Sequence, residues 1–183
     1  MVNYLNMEII LIKHAETEWN RAGIYQGWLD SPLTSVGKIQ AMELAKLLKN
    51  KVDIIISSDL GRAIETAKIL SMSSGISMGY ESSCFRERNF GFLEGKCKLE
   101  IMKTTPEWFR DGKLIDDADV PDIESFETFR LRLLDGLEYL KEIRNKKIAI
   151  VTHGAAIKML YTLFDSHEKM PEITSCSIHQ FNI

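Results

Sequence analysis

Three short runs of apolar residues divide the chain, and polar residues follow each run. The runs are EIILIK at Glu8–Lys13, VDIII at Val52–Ile56 and IAIV at Ile148–Val151. Runs of this length that are rich in β-branched residues are typical of strands buried on both faces of a sheet. We therefore predict three buried strands, and His14 and His153 each lie just beyond the end of one of them.

Helical periodicity follows the first two predicted strands. Thr34 or Ser35 is the expected N-cap of a helix that runs to Asn50. The tripeptide SSD at Ser57–Asp59 is expected to cap a second helix, which carries Arg62 in its first turn. The expected apolar face of the first helix comprises Ile39, Met42, Leu44, Ala45, Leu47 and Leu48.

Two more helices and a last strand are predicted nearer the C-terminus. Glu124–Arg144 has the spacing of a long amphipathic helix, and Ala155–Phe164 forms a helix after the third strand. Ser177–Ile183 (SIHQFNI) alternates between apolar and polar residues, as an edge strand does.

This alternation of strands and helices predicts an α/β fold. We expect a three-layer α/β/α sandwich with a mostly parallel central sheet and an antiparallel edge strand. Such sheets bind ligands in the crevice beyond the carboxyl ends of their strands. His14, Arg62 and His153 come from three separate strand ends, so we expect them to meet in one crevice.

The 183 residues, of which 45% are hydrophobic, fit one domain that spans positions 1–183. Residues from about 75 to 121 form an irregular insertion with a short helix around Leu99–Arg110, which is a candidate cover for the crevice. Met1 and Met7 are alternative starts, because the first six residues show no periodicity.

Charge and cysteine content exclude several classes of function. The net charge of −3 and the lack of a basic stripe argue against nucleic acid as a partner. Three cysteines without a CxxC pair argue against a disulfide framework or a thiolate zinc site, and so favour a reducing compartment. No apolar run approaches the ~20 residues that span a bilayer. We expect a cytoplasmic protein that is either a monomer or a homodimer.

Two histidines and an arginine at strand ends suit phosphoryl transfer. A neutral imidazole can attack phosphorus, while cations and neutral donors such as Arg62 and Asn20 hold the phosphate oxygens. The leaving alkoxide needs a proton donor, and Glu87 in the stretch FRERNFG is the candidate. The same carboxylate can later deprotonate water.

The ordered motifs resemble those of the histidine phosphatase superfamily, which includes cofactor-dependent phosphoglycerate mutases. The resemblance rests on KHAETEWN, YQGWLDSPLTSVGKIQA, SSDLGRAIETAKIL, RERNFGFLEG and VTHGAAIK, and covers nearly the whole chain. It implies a phosphoglycerate mutase-like fold with His14 as nucleophile and no metal, and we expect no cofactor. It further implies that Glu87 is the acid and base and that Asn20, Arg62 and His153 bind phosphate.

Two positions depart from the pattern of this family. Lys13 stands where the family has arginine before the nucleophile, and Ala15 stands where it has glycine after it. Lysine keeps the charge but loses the planar fork that binds two phosphate oxygens. If Lys13 points into the site, we expect transition-state stabilisation weaker by ~1 to 3 kcal/mol, or roughly ten- to hundredfold in rate.

The residues that contact the rest of the substrate are less strongly indicated. Gln26, Gly27 and Trp28 are candidates for the crevice entrance, although Trp28 could equally be a packing residue. Arg88 follows the candidate acid and, as in mutase-like members, could contact the substrate, or it is an ordinary surface charge. Gly154 allows either a close approach of the backbone to phosphate or the turn from strand to helix.

Hydrolysis of small phosphorylated metabolites is the favoured activity, with mutase activity as the alternative. A mutase must protect its phosphoenzyme from water in a closed, cation-rich site. The cations of the insertion, Lys96, Lys98, Lys103, Arg110 and Lys113, are offset by six acidic residues of the same segment. A phosphate-binding protein without turnover is a further alternative because of Lys13, although a mere binder has no use for Glu87.

Overall fold

The computed structural model describes residues 8–116, 118–143, 146–164 and 170–182. The alternative starts Met1 and Met7, and Arg144 and Ile183 at the ends of two predicted segments, lie outside the described residues. A five-stranded sheet is built from β1 (Glu8–Lys13), β2 (Ile54–Ser58), β3 (Ser77–Ser82), β6 (Ile148–Thr152) and β7 (Ile178–Asn182). A separate two-stranded sheet contains β4 (Phe109–Arg110) and β5 (Lys113–Leu114).

The strand order in the main sheet is β3-β2-β6-β1-β7. β1, β2, β3 and β6 run parallel, whereas β7 pairs antiparallel with β1 at one edge. The mostly parallel sheet and its antiparallel edge strand, both predicted from the sequence, are therefore confirmed. Ile9, on the interior strand β1, pairs with Ile148 on one side and Phe181 on the other.

Helices cover both faces of the sheet. α2 (Ser35–Leu48) and α3 (Gly61–Ser74) pack on one face, and α5 (Phe126–Leu140) and α6 (Gly154–Leu163) pack on the other. Each face has its own apolar core, because side chains of a strand point alternately to opposite faces. None of the described helices is long and apolar enough to cross a membrane.

The buried face of α2 differs from the predicted one. Ile39, Met42 and Leu47 are exposed, at 59%, 46% and 60%, whereas Ala41, Leu44, Ala45 and Leu48 are buried. The reason is a close approach at Gly37, where a Cβ would lie 2.2 Å from the carbonyl oxygen of Glu16. This contact turns the small residues inward, so hydrophobicity alone does not select the buried side.

The sequence does not predict the edge strand β3, because residues 77–82 show no regular pattern of apolar and polar positions. β3 pairs only with β2, and most of its side chains are exposed, so it lacks an apolar run. Gly79 resembles a strand breaker, but a Cβ at this position would lie 3.0–3.2 Å from the side chains of Ile54 and Ile56. The glycine therefore permits close packing within the sheet.

The remainder of the insertion is short and locally ordered. The predicted helix around Leu99–Arg110 is observed as α4 (Lys98–Thr104), which ends before Pro106 because a residue that precedes proline avoids the helical conformation. A small cluster of Tyr25, Leu93, Ile101 and Val120 packs this segment against the chain that follows α1 (Glu18–Ala22).

Candidate active site

A cavity of about 540 Å³ opens at the carboxyl ends of the central strands. His14 follows β1, His153 follows β6, and Arg62 lies in the first turn of α3 after β2. The two imidazole rings lie 5.2 Å apart between centroids. The residues that line the cavity and were singled out in the sequence are Lys13, His14, Asn20, Gln26, Gly27, Arg62, Glu87, Arg88 and Gly154.

His14 is held in one tautomer by its own backbone. Its Nδ1 lies 2.8 Å from the carbonyl oxygen of Ala15, which can only accept, so Nδ1 carries the proton and Nε2 keeps its lone pair. Burial, with smaller contributions from the positive charges of Arg62 and Lys13, holds the pKa of His14 well below its usual range. The ring is therefore an uncharged base or nucleophile at neutral pH.

His153 is fully buried behind this ring. Its Nε2 lies 2.8 Å from the hydroxyl oxygen of Ser58, while its Nδ1 is buried without a hydrogen-bond partner among the described residues. Burial first, and then the charge of Arg62, holds the pKa of His153 well below its usual range. If the Ser58 hydroxyl donates to Nε2, Nδ1 carries the proton of a neutral ring and is a free donor.

Arg62 places a buried positive charge beside both histidines. Its Nη1 donates to the carbonyl oxygen of Leu29 and to a carboxylate oxygen of Asp30, both at 2.8 Å, and its Nη2 donates to the carbonyl oxygen of Gly27 at 2.7 Å. Its Nε, although buried, has no partner among the described residues. Three of the five N–H donors are thus used and fix the position of the guanidinium, and the Nε–H and the second N–H of Nη2 are left for a ligand.

Asp30 also supplies the cap of α3 that the sequence assigned to Ser57–Asp59. The N-cap residue is Leu60, and the carboxylate of Asp30 accepts hydrogen bonds from the backbone nitrogens of Gly61 and Arg62. A carboxylate is favourable at a helix N-terminus because it satisfies free N–H groups and the helix dipole. No local spacing links residue 30 to residue 61, so the sequence did not indicate this contact.

Glu87 is fixed at the start of α6. Its Oε1 accepts hydrogen bonds from the backbone nitrogens of Ala155 at 3.0 Å and Arg88 at 3.1 Å. Its backbone carbonyl accepts from Trp28 Nε1 at 2.9 Å and from Arg132 Nη2 at 3.1 Å. The carboxyl group thus faces the cavity from a segment that is held on both sides.

Trp28 lies behind the Glu87 segment, outside the cavity wall. Its ring packs against the guanidinium groups of Arg86, at 4.9 Å, and Arg132, at 5.8 Å. Its Nε1 donates to the Glu87 carbonyl. Trp28 therefore contacts the segment that carries the candidate acid and is not one of the residues that line the cavity.

Gly27 belongs to the cavity wall and has a conformation that favours glycine. Its φ is +53°, and a Cβ at this position would lie 1.9 Å from Glu94 Oε1. Gln26 Oε1 lies 3.1 Å from the hydroxyl oxygen of Thr17, and Asn20 Oδ1 accepts from the backbone nitrogen of Thr17 at 3.2 Å. The amide nitrogen of Asn20 remains a donor for a ligand.

Arg88 is buried, at 4% exposed, and is not an ordinary surface charge. Its Nε donates to the carbonyl oxygen of Glu124 at 2.8 Å, and its Nη2 donates to that of Asp116 at 2.9 Å. The guanidinium also lies 5.4 Å from the centroid of the Phe126 ring. Arg88 thereby ties the insertion to the start of α5 while it lines the cavity.

Lys13 lines the cavity together with three lysines that the sequence did not single out as site residues, Lys98, Lys113 and Lys158. Lys13 Nζ donates to the carbonyl oxygen of Ile173 at 3.4 Å. Burial, with repulsion from Lys98 and Lys158, lowers the pKa of Lys13 despite the attraction of Glu87. A charge count over the insertion missed this concentration, because Lys13 and Lys158 lie outside that segment.

The groups suited to metal binding are scattered. Within the described ranges, no three His, Cys, Asp or Glu side chains come together as they would around a metal ion. The hydrogen-bond donors that line the cavity are mainly cationic side chains, beside the neutral imidazole of His14, and they suit an anionic ligand.

The lowered pKa values of His14 and His153 predict that both rings stay neutral on mild acidification. Imidazole ¹⁵N signals, assigned with His14→Gln and His153→Gln variants, should keep their neutral shifts from pH 8 to about pH 6, because proton uptake occurs below the usual value of about 6.5. A titration midpoint of 6.5 or above for either ring would contradict this assignment.

Comparison with known proteins identifies the family of this chain. The profile described as "Histidine phosphatase superfamily (branch 1)" matches residues 9–182. "Phosphoglycerate mutase-like protein 4" of Arabidopsis thaliana is 32% identical over 96% of this chain and 79% of its own. "Putative phosphoserine phosphatase 2" of Hydrogenobacter thermophilus is 36% identical over 85% and 77%.

Solved structures agree with these relatives. The structure of "Bacillus stearothermophilus YhfR" has a TM-score of 0.82 and 31% sequence identity, and the match covers 95% of this chain and 90% of that one. A phosphoglycerate mutase from Bacillus anthracis matches with a TM-score of 0.78 and 26% identity, over 95% and 86% of the two chains. The chain belongs to the histidine phosphatase superfamily, whose members include phosphatases and phosphoglycerate mutases.

Proposed function

We propose that the protein hydrolyses small phosphate monoesters through a phosphohistidine on His14. One observation carries this proposal: Nε2 of His14 keeps its lone pair beside two buried nitrogens that lack partners among the described residues, Nε of Arg62 and Nδ1 of His153. Buried donors without partners are costly. A phosphate whose oxygens accept from both nitrogens removes this cost and brings phosphorus next to the lone pair.

In the first step, the lone pair of His14 Nε2 forms a bond to phosphorus as the bond from phosphorus to the ester oxygen breaks. Glu87 enters this step as the carboxylic acid, and its proton goes to the leaving oxygen. Arg62 and Asn20, which line the cavity, and the buried Nδ1 of His153 hold the equatorial oxygens, and Lys13 adds positive charge beside them. The products are the alcohol, a phosphohistidine and the Glu87 carboxylate.

In the second step, water attacks the phosphohistidine. Glu87 takes a proton from the water molecule as its oxygen bonds to phosphorus, and the bond from phosphorus to Nε2 breaks. Inorganic phosphate leaves, and both His14 and Glu87 return to their starting states. The fixed position of Glu87 at the start of α6 supports its use in both steps.

Mutase activity is the second candidate, and one observation favours it. Lys98 and Lys158 make the cavity richer in cations than the sequence indicated, and a cation-rich site retains a phosphorylated intermediate. We nevertheless favour hydrolysis because the insertion is short and the cavity of about 540 Å³ leaves space for water beside a small ester. A binding protein without turnover is the remaining alternative, and the carboxyl group fixed at the cavity wall argues against it.

Phosphate release and isomerisation should be measured side by side on 3-phosphoglycerate and on a panel of other phosphate monoesters. We expect phosphate release from at least one ester to exceed isomerisation, and His14→Gln to lower its kcat/KM by about 10³-fold or more. Lys68→Met on the exposed side of α3 is the control and should retain wild-type activity. Fast isomerisation with little release would establish the mutase instead.

Lys13→Arg tests whether the departure from the family pattern limits the rate. A guanidinium can bind two phosphate oxygens at once, so we expect kcat/KM to rise roughly ten- to hundredfold on the preferred ester. Lys68→Arg, a matched change at the surface, should leave kcat/KM unchanged. No gain for Lys13→Arg on any ester would mean that the ammonium group serves the transition state as well as a guanidinium.

A further inference from the structure

Five consecutive backbone carbonyl groups lead up to and include that of the candidate acid, and each has a hydrogen-bond donor. The carbonyl oxygen of Phe85 accepts from the hydroxyl of Thr152 at 2.7 Å, and Thr152 directly precedes His153. The other four accept at 3.0 to 3.1 Å from the guanidinium of Arg132 in α5, and they belong to Ser83, Cys84, Arg86 and Glu87. The segment that carries Glu87 is therefore fixed both to β6 and to α5.

A mostly buried carboxylate holds the guanidinium of Arg132 in place. Its Nε and Nη2 donate to the two carboxylate oxygens of Glu124, at 3.0 and 2.8 Å, and the two side chains are 16% and 7% exposed. A planar guanidinium can bind a carboxylate and backbone carbonyls at the same time. All three nitrogens of Arg132 are thereby engaged, and the group is fixed relative to α5.

Helix α5 lies directly against this segment. A Cβ at Gly136, about one turn after Arg132, would lie 2.8 Å from the Cβ of Cys84 and 3.0 Å from the ring of Phe85. The glycine permits this close approach, and the approach brings the guanidinium within reach of the carbonyl groups. The contact between Arg132 and the segment of the acid is thus part of the packing of α5.

Arg130 on the same helix provides a comparison. It also pairs with a glutamate, Glu127, through two hydrogen bonds of 2.7 Å. That pair is more exposed, at 37% and 63%, and both of its residues belong to α5. Within the described ranges, Arg132 is the one of these two arginines that also donates to the segment of the candidate acid.

We propose that Arg132 is a positioning residue: together with Glu124, it holds the backbone of Glu87 so that the carboxyl group can deliver its proton to the leaving oxygen. This inference rests on the proposed function, because it takes Glu87 as the acid. Arg132 is not one of the described residues that line the cavity, so it acts through Glu87 and not on the substrate. A misplacement of ~1 Å can cost about 10²-fold in rate.

The effect of this positioning depends on the leaving group. A benzyl alkoxide is strongly basic and must be protonated as it leaves, whereas 4-nitrophenolate is a stable anion and leaves without a proton. Loss of the correct position of Glu87 should therefore slow the reaction of benzyl phosphate much more than that of 4-nitrophenyl phosphate. A general loss of structure would slow both reactions to the same extent.

The ratio of kcat/KM for benzyl phosphate to that for 4-nitrophenyl phosphate tests this inference. It is measured for wild type, Glu87→Gln, Arg132→Lys and the matched control Arg130→Lys. Lysine keeps a positive charge beside Glu124 but has a single nitrogen in place of the planar guanidinium. Because both esters are assayed on one preparation, the ratio does not depend on the fraction of the protein that is folded.

We expect Glu87→Gln to lower this ratio, because an amide cannot supply the proton. Arg132→Lys should lower it by about tenfold or more, whereas Arg130→Lys should leave it unchanged. If Glu87→Gln lowers the ratio and Arg132→Lys does not, the inference is overturned.

Hydrogen exchange without substrate separates this inference from the proposed function. The backbone N–H groups of Ala155 and Arg88 donate to the Glu87 carboxylate, so their exchange rates report on its position. Arg132→Lys should speed exchange at both by about tenfold, and Arg130→Lys at neither. If Glu87→Gln leaves the ester ratio unchanged while this acceleration is present, the acid role of Glu87 fails and its positioning by Arg132 stands. Unchanged exchange in that case would overturn the positioning as well.

Discussion

The candidate active site depends on one cation, Arg62, that is removed from water and held in a single position. Burying a guanidinium is costly unless hydrogen bonds and an opposite charge compensate it. For Arg62, Asp30 and the backbone carbonyls of Gly27 and Leu29 supply both. Since Asp30 also accepts from the first backbone N–H groups of α3, one carboxylate fixes that helix, the preceding loop and the cation relative to one another.

The charge of Arg62 also affects the pKa of the two histidines. It contributes, after burial, to the lowered pKa of both His14 and His153, so the rings stay neutral in a cavity rich in positive charge. A protonated His14 could not attack phosphorus, and a cavity without cations would not attract a phosphate. The same positive charge thus helps to keep His14 neutral and attracts a phosphate to the cavity. The bond from His14 Nδ1 to the Ala15 carbonyl then directs the lone pair of Nε2 toward reaction.

The sequence indicates those parts of the site that follow from local patterns. Buried strands are short apolar runs, so the positions of His14 and His153 at strand ends could be predicted. The predicted helix after the second strand carries Arg62 in its first turn, so Arg62 could be predicted to lie near them. Contacts that depend on tertiary approach could not be predicted. The side of α2 that faces inward is set at Gly37, the cap of α3 comes from Asp30, and Lys158 becomes a cavity residue only because its side of α6 is turned toward β1.

Trapping the phosphorylated enzyme tests most directly whether the phosphoryl group of the ester is transferred to Nε2 of His14. The protein is mixed for milliseconds with its best ester, quenched in alkali and digested, and the phosphorylated peptide is located by tandem mass spectrometry. We expect phosphate on His14, with formation and decay as fast as turnover, and none in His14→Gln. Phosphate on His153 or on another residue, or turnover at wild-type rate without any phosphorylated enzyme, would contradict it.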